Sequence, residues 1–182
     1  MKAARILLIG GPSTGKTTLI EHLEQRQFKV YHEVSRQVTA AAQREGIDQL
    51  FLTDPLAFSR QLLEARIQQH QDAGNQSDPF VFLDRGIPDV TAYLNFIDQP
   101  YPAYFDQAAQ EYRYDQVFLL PAWSAIHETD QERYESFEEA QRIEQELLAT
   151  YERHGYSPIE VPKSPVEHRA DFVLEQIDAV GA

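Results

Sequence analysis

The sequence predicts an α/β domain built on a mostly parallel sheet, and three observations predict it. Short, continuous apolar runs of four or five residues recur along the chain, as in strands covered on both faces. Helical stretches separate these runs, so strand and helix alternate. A glycine-rich junction, GGPSTGKT at 10–17, joins the first run to the first helix. In such a sheet the crossovers are right-handed and ligands gather at the carboxyl ends of the strands.

The elements follow in order. Ile6–Ile9 is the first strand, and Thr17–Gln25 is the helix after it. Phe28–Tyr31 is a weaker second strand, followed by helices over Ser35–Arg44 and Pro55–Asp72. Asp54-Pro55 marks a helix start, because Asp caps the free amides and Pro is preformed for the first helical position. DAGNQSDP at 72–79 is a surface loop. The third strand, Phe80–Leu83, leads to helices over Pro88–Phe96 and Ala103–Glu111, with a proline-bearing loop at 98–102 between them. Val117–Leu120 is the fourth strand and Pro158–Val161 the fifth. The last two helices, Ser136–Arg153 and Ser164–Val180, open on S-x-x-E capping boxes, Ser136 to Glu139 and Ser164 to Glu167, with Pro165 at the first helical position.

The 182 residues suit one domain, residues 1–182, with a small lid over roughly 122–142, and no internal repeat is present. Sixteen basic against 29 acidic residues give a net charge of −13, which excludes bulk attraction to a nucleic-acid backbone but leaves room for a local basic pocket. With no cysteine, a disulfide framework, a thiolate metal site and a cysteine nucleophile are excluded. The six histidines show neither an H-E-x-x-H motif nor an i,i+4 pair, so they suggest no metal centre. No apolar run approaches the ~18 residues of a membrane span, and MKAARILLIGG is too short and glycine-bound for a signal peptide, so the expected location is the cytoplasm.

GGPSTGKT fits G-x-x-x-x-G-K-[ST], the Walker A pattern. With 8 glycines, 4 lysines and 16 serines plus threonines in the chain, a chance match is on the order of one in a thousand. The junction also lies between a strand and a helix, as the chemistry requires. Backbone amides curl around an anion, glycines let the main chain approach phosphate, and the helix start adds its positive end. Gly10, Gly11, Pro12, Ser13, Thr14, Gly15, Lys16, Thr17 and Thr18 are therefore the nucleotide-binding candidates. Lys16 is expected on the β and γ phosphates, and Thr17 on Mg²⁺.

Phe80–Leu83 ends in Asp84-Arg85-Gly86. An acid at the end of a buried strand points into the ligand crevice, where Asp84 would hold Mg²⁺ water or take a proton from an attacking hydroxyl. Arg85 would clamp a phosphate or an acidic group of the substrate. The competing reading is an ordinary strand-ending Asp that caps the next helix. Glu33 and Arg36, in YHEVSRQV, are spaced to share a helical face; they either pair with each other or line the acceptor pocket. Beyond the fourth strand, Arg133 sits where a mobile arginine would neutralise a transferring phosphoryl group, with Arg142 as second choice. Trp123 would either stack on a ring or pack. The dense charge of this stretch is equally that of a solvated helix.

GGPSTGKT, EVSR, FLDRGIPD, the D-x-E-R-x-E of the lid region and GYSPIEVPKSPVEHRADFVL together resemble the NadR-type AAA-like P-loop family, over nearly the whole chain. That family includes the ribosylnicotinamide kinase module and is related to the thymidylate-kinase-like nucleoside and nucleotide kinases. The resemblance implies a three-layer αβα P-loop NTPase with a five-stranded parallel sheet in the order 2-3-1-4-5 and a helical lid. It implies that Asp84 and Arg85 form an acid–arginine turn, that Glu33 and Arg36 face the acceptor, that Arg133 is the lid arginine, and that 161–164 borders the adenine. The chain lacks the N-K-x-D motif that reads guanine, which favours ATP. The expectation is an ATP- and Mg²⁺-dependent kinase acting on a small nucleoside-like or other hydroxyl compound. The alternatives are a nucleotide-gated module with a protein partner and, less favoured by charge, a polynucleotide end kinase.

Overall fold

The computed structural model describes residues 3–126 and 136–181. Five strands, all parallel where paired, form one sheet: β1 (Ala4–Ile9), β2 (Val30–Tyr31), β3 (Phe80–Asp84), β4 (Gln116–Leu119) and β5 (Ile159–Glu160). Their spatial order is β2-β3-β1-β4-β5, as the family resemblance implies. The register sets Leu8 beside Asp84 and Ile9 beside Leu119, so the ends of the three central strands open toward one rim.

Helices cover both faces: α1 (Lys16–Gln25), α2 (Ser35–Arg44), α3 (Leu50–Thr53), α4 (Pro55–Gly74), α5 (Ile87–Phe96), α6 (Tyr104–Glu111), α7 (Phe137–Arg153) and α8 (Val166–Gly181). Side-chain parity along β1 explains the unbroken apolar runs. Ile6 and Leu8 pack with Leu19, Ile20, Phe82 and Val173, against α1 and α8. Leu7 and Ile9 pack with Leu83, Ala92, Leu147 and Tyr151, against α5 and α7. A third cluster, including Val38, Phe58, Leu62, Val90 and Phe105, joins α2, α4, α5 and α6 beside the sheet.

Most capping expectations hold. Asp54 accepts from the Ala57 amide at 2.9 Å, with Pro55 opening α4, and Ser136 Oγ accepts from the Glu139 amide at 3.2 Å. Three boundaries and one added element differ for identifiable reasons. Phe28 belongs to the turn closing α1, its amide bonded back to Leu23 O, so β2 holds two residues. Pro158 has no amide to offer a ladder, and β5 is likewise shortened. Pro165 supplies the carbonyl that accepts from Arg169 and precedes the first helical residue, so α8 begins one residue later than its capping signal suggests. The unexpected α3 is one turn anchored by buried Leu50 and the Phe51–Phe58 edge contact.

Among the described residues, no helix is long and apolar enough to cross a membrane.

Candidate functional site

The junction at 10–17 leaves β1 and enters α1 at Lys16. Its turn uses left-handed backbone at Ser13 (φ 55°) and Gly15 (φ 77°), and Thr14 Oγ1 closes it by donating to Gly11 O at 3.1 Å. A Cβ on Gly15 would lie 2.7 Å from Arg169 Nη1, and one on Gly10 would lie 2.6 Å from the Leu120 carbonyl. Close approach to a backbone carbonyl requires glycine at 10, and the left-handed backbone favours it at 15. Gly10 sits beneath the loop, and residues 11–18 face a cavity of about 1030 Å³ at the strand ends.

Across that cavity Lys16 Nζ donates to Asp84 Oδ1 at 2.7 Å, with both side chains over 90% buried. Burial and the Arg85 charge pull the Lys16 ammonium below its ordinary value, and Asp84 opposes them. The adjoining wall is a network of paired charges. Glu33 lies in the loop before α2, where its Oε2 meets Arg85 Nε at 2.6 Å and its Oε1 meets Arg66 Nη2 at 3.0 Å. Burial alone would raise the Glu33 carboxyl, but the two guanidiniums outweigh it and hold it at about 2. Burial likewise opposes the charge of Arg66 and Arg85, and Glu33 and Asp89 more than offset it, raising both.

The Asp-Arg-Gly turn after β3 is held through several of its backbone polar groups. Arg85 takes left-handed backbone at φ 69° while its amide bonds to Leu8 O at 3.0 Å. The Gly86 amide donates to Asp89 Oδ2 at 2.9 Å, the Gly86 carbonyl accepts from Arg66 Nη1 at 2.9 Å, and the Ile87 amide donates to Tyr114 OH at 3.1 Å. Asp89 also accepts from Tyr151 OH of α7 at 2.5 Å and faces Arg85 Nη1 at 3.5 Å. A strained conformation at a non-glycine residue persists where its surroundings over-determine it, as here.

The loop region thus brings together Gly11 to Thr18, Glu33, Arg36, Asp84 and Arg85 as cavity lining. Glu33 takes Arg66 and Arg85 as partners and precedes α2, so the shared helical face expected for Glu33 and Arg36 is not formed. Arg133 lies outside the described residues. Arg142 is on α7, its Cζ 5.5 Å from the centre of the Phe96 ring. Trp123 does not line the cavity; its neighbour Ile126 does, as do Val166 and Arg169, while 161–164 stays outside it.

Four residues of the site escaped the sequence reading: Arg66, Asp89, Tyr151 and Arg169. Arg66 had a signal, a cation on the apolar stripe of α4 with Leu62, Leu63 and His70. Arg169 Nη1 donates to Thr14 O at 3.3 Å, and its buried Nε has no hydrogen-bond partner among the described residues, so it covers the loop with spare donor capacity.

The donor set fits a Mg²⁺-bound nucleotide. Among the described residues, no group of three or more His, Asp or Glu can hold a metal alone. Mg²⁺ typically takes one or two protein oxygens and completes its shell with phosphates and water, for which Thr17 and Asp84 are placed.

A family model described as an AAA domain matches residues 5–169. No curated protein sequence matches the chain. Among solved structures, deoxyadenosine kinase from M. mycoides with dCMP and dCDP bound is similar at 14% identity and TM-score 0.70, over 96% of this chain and 99% of that one. The NadR protein in complex with NR is similar at 19% identity and TM-score 0.72, over 95% of this chain and 50% of that one. Thymidylate kinase from Candida albicans is similar at 17% identity and TM-score 0.67, over 99% of this chain and 93% of that one. At such identities the likeness is one of fold: a nucleoside- and nucleotide-kinase P-loop architecture.

Proposed function

The chain belongs to the AAA domain family of P-loop proteins, and from that premise we propose that it is a kinase that transfers the γ-phosphoryl group of Mg²⁺–ATP to a hydroxyl of a small, nucleoside-like acceptor. The observation that carries this reading is the pairing of Lys16 with Asp84 on a cavity whose adjoining wall presents Glu33 and Arg85. A nucleotide-binding loop alone needs no such second wall. The deoxyadenosine kinase structures of the same fold with nucleotides bound, and the NadR protein in complex with NR, support it.

Each residue then has a chemical task. The amides of Gly11 and of Ser13 to Thr18, with the start of α1, receive the triphosphate. The ammonium of Lys16 leaves Asp84 for the β and γ oxygens, which frees the Asp84 carboxylate. Thr17 and Asp84 would hold Mg²⁺, which supplies charge neutralisation on the transferring group. Glu33 stays ionised and accepts a hydrogen bond from the acceptor hydroxyl, aiming its oxygen at phosphorus; as the new O–P bond forms the β–γ O–P bond breaks, ADP leaves, and the hydroxyl proton passes to water. Placement of this kind lowers the barrier without strong basicity, because the transition state of phosphoryl transfer is loose. Arg85 and Arg36 border the acceptor. Arg133, outside the described residues, would neutralise the group in flight, and the unit proposed for this activity is a single one, 1–182.

The test is Mg²⁺-dependent ATP consumption across a panel of nucleosides and small alcohols. One acceptor should raise turnover well above the acceptor-free rate, and Lys16→Ala should lower ATP affinity by about a hundredfold or more. Tight ATP binding with no turnover on any acceptor would favour the nucleotide-gated module instead.

A further inference from the structure

Three cations on the large cavity are neutralised within the chain: Lys16 by Asp84, Arg66 by Glu33, and Arg85 by Glu33 and Asp89. Arg169 differs. It stands in the first turn of α8, lines the same cavity and is 7% exposed, yet it has no ion-pair partner among the described residues. We propose that Arg169 is a phosphate-binding residue whose counter-charge is the nucleotide itself, so that the empty chain holds a buried charge that the triphosphate neutralises. This inference rests on the nucleotide-binding part of the reading above and adds a residue and an energetic consequence to it.

Three observations carry it. The first is the use of donors. A guanidinium has five N–H groups. Arg169 gives one hydrogen bond, from Nη1 to the Thr14 carbonyl at 3.3 Å. Its Nε is buried and has no partner among the described residues. A buried donor without an acceptor costs free energy, and more so on a charged group, so this orphan calls for a function.

The second is charge. Burial lowers the Arg169 value and no neighbouring charge raises it, whereas the carboxylates beside Arg66 and Arg85 outweigh burial. The guanidinium stays protonated all the same. Buried charges are paired or bind ions, and the described residues offer this one no pair.

The third is place. A Cβ on Gly15 would lie 2.7 Å from Nη1 and 3.1 Å from Nη2, so the fork lies against the phosphate loop where it enters α1. The next residue is Lys16, whose ammonium is turned the other way, to Asp84. At the far end of the loop a Cβ on Gly11 would meet Ala140 O of α7 at 3.3 Å. The loop thus has a neutralised cation on its acid–arginine side and an unneutralised one at its Gly15 end. A fully ionised triphosphate carries more negative charge than one Mg²⁺ and one ammonium offset together, and Arg169 supplies the remainder.

The test compares the full chain with Arg169→Met, which keeps the length of the side chain and removes its charge. AMP-PNP affinity in Mg²⁺ is measured by calorimetry, and the urea midpoint is measured without nucleotide. AMP-PNP should bind the variant about tenfold more weakly or worse. Raising salt from about 0.05 to about 0.5 M should weaken binding to the variant less than binding to the unaltered chain. The nucleotide-free variant should be no less stable than the unaltered chain, because the lost bond to Thr14 is offset by release from burying an unpaired charge. Arg169→Lys keeps the charge without the fork, and its AMP-PNP affinity should fall between the two. The proposal is overturned if Arg169→Met binds AMP-PNP as tightly as the unaltered chain, or with the same salt dependence. It is overturned too if the nucleotide-free variant is less stable or does not fold, which is what a purely structural clamp on the loop predicts. Failure of the nucleotide-binding reading shows separately, as an unaltered chain that does not bind AMP-PNP at millimolar concentration.

Discussion

Glu33 is one carboxylate serving two guanidiniums, and that arrangement sets how the molecule answers acid. Its folded-state value of about 2 lies below the ordinary 4.5. A depressed carboxylate contributes stability that is present above the unfolded value and lost as pH falls through the folded one. The window here runs from about pH 4.5 down to about 2, and the contribution is on the order of 3 kcal/mol. In urea titrations across that window, Glu33→Gln should lose less stability with falling pH than the unaltered chain does. At pH 7 the same variant should be less stable by about 3 kcal/mol, because it leaves the buried Arg66 and the half-buried Arg85 guanidinium short of a counter-charge. Gly15 makes a second residue-scale case. Its φ of 77° and the 2.7 Å approach of Arg169 Nη1 to a built Cβ mean that Gly15→Ala strains the loop and displaces Arg169. A loss of about 1–2 kcal/mol is expected from the backbone alone, together with weaker ATP binding in calorimetry. Unchanged ATP affinity would show that neither the loop nor Arg169 contributes to holding the nucleotide.

At the scale of elements, the fold was legible because its signals are local. The two-faced apolar runs gave the strands, Asp54-Pro55 gave the start of α4, and the glycines of 10–17 gave the loop. The site was half legible. Lys16, Thr17 and Asp84 sit in a motif or at a strand end, where position along the chain implies position in space. Arg66, Asp89 and Tyr151 do not: they meet across α4, α5 and α7, and pairings at separations of 33 and 62 residues leave no periodic trace. Glu33 and Arg36 were found as candidate pocket lining, but the guanidiniums that hold Glu33 were not, since helical spacing points only along the chain and tertiary packing supplied Arg66 and Arg85. Helix α7 therefore carries a function its charged sequence hides, bracing the acid–arginine turn through Tyr151. Removal of that hydroxyl in Tyr151→Phe takes one donor from buried Asp89 and should cost about 1–3 kcal/mol in denaturant unfolding. If the brace positions Arg85, turnover should fall several-fold in the same variant while ATP affinity holds.

Across the whole molecule, two electrostatic effects oppose each other as pH drops below neutrality. The net charge of −13 diminishes, which relieves self-repulsion and favours the compact state. Against this stand histidines buried in their neutral form. His70 is 6% exposed, and its Nε2 lies 2.7 Å from the Arg113 carbonyl, which can only accept, so Nε2 carries the proton. Its Nδ1 is buried with no partner among the described residues, and protonation there would place a cation in the core near Arg5. Burial pulls His70 below its ordinary value, and it does the same to His154. Because the unfolded chain binds these protons first, stability is full above the unfolded value of 6.5 and falls as pH drops from there toward the folded values. The relief of surface repulsion is spread over exposed groups and is screened by salt, whereas the histidine effect is local and buried. In 0.15 M salt the histidines should therefore win, and urea midpoints should decline between pH 7 and 5.5. His70→Gln keeps a donor for the Arg113 carbonyl but cannot titrate. It should flatten that decline by up to about 1.4 kcal/mol per pH unit, the slope of a single proton. A decline of the same steepness in the variant would place the linked proton elsewhere, with His154 as the next residue to replace.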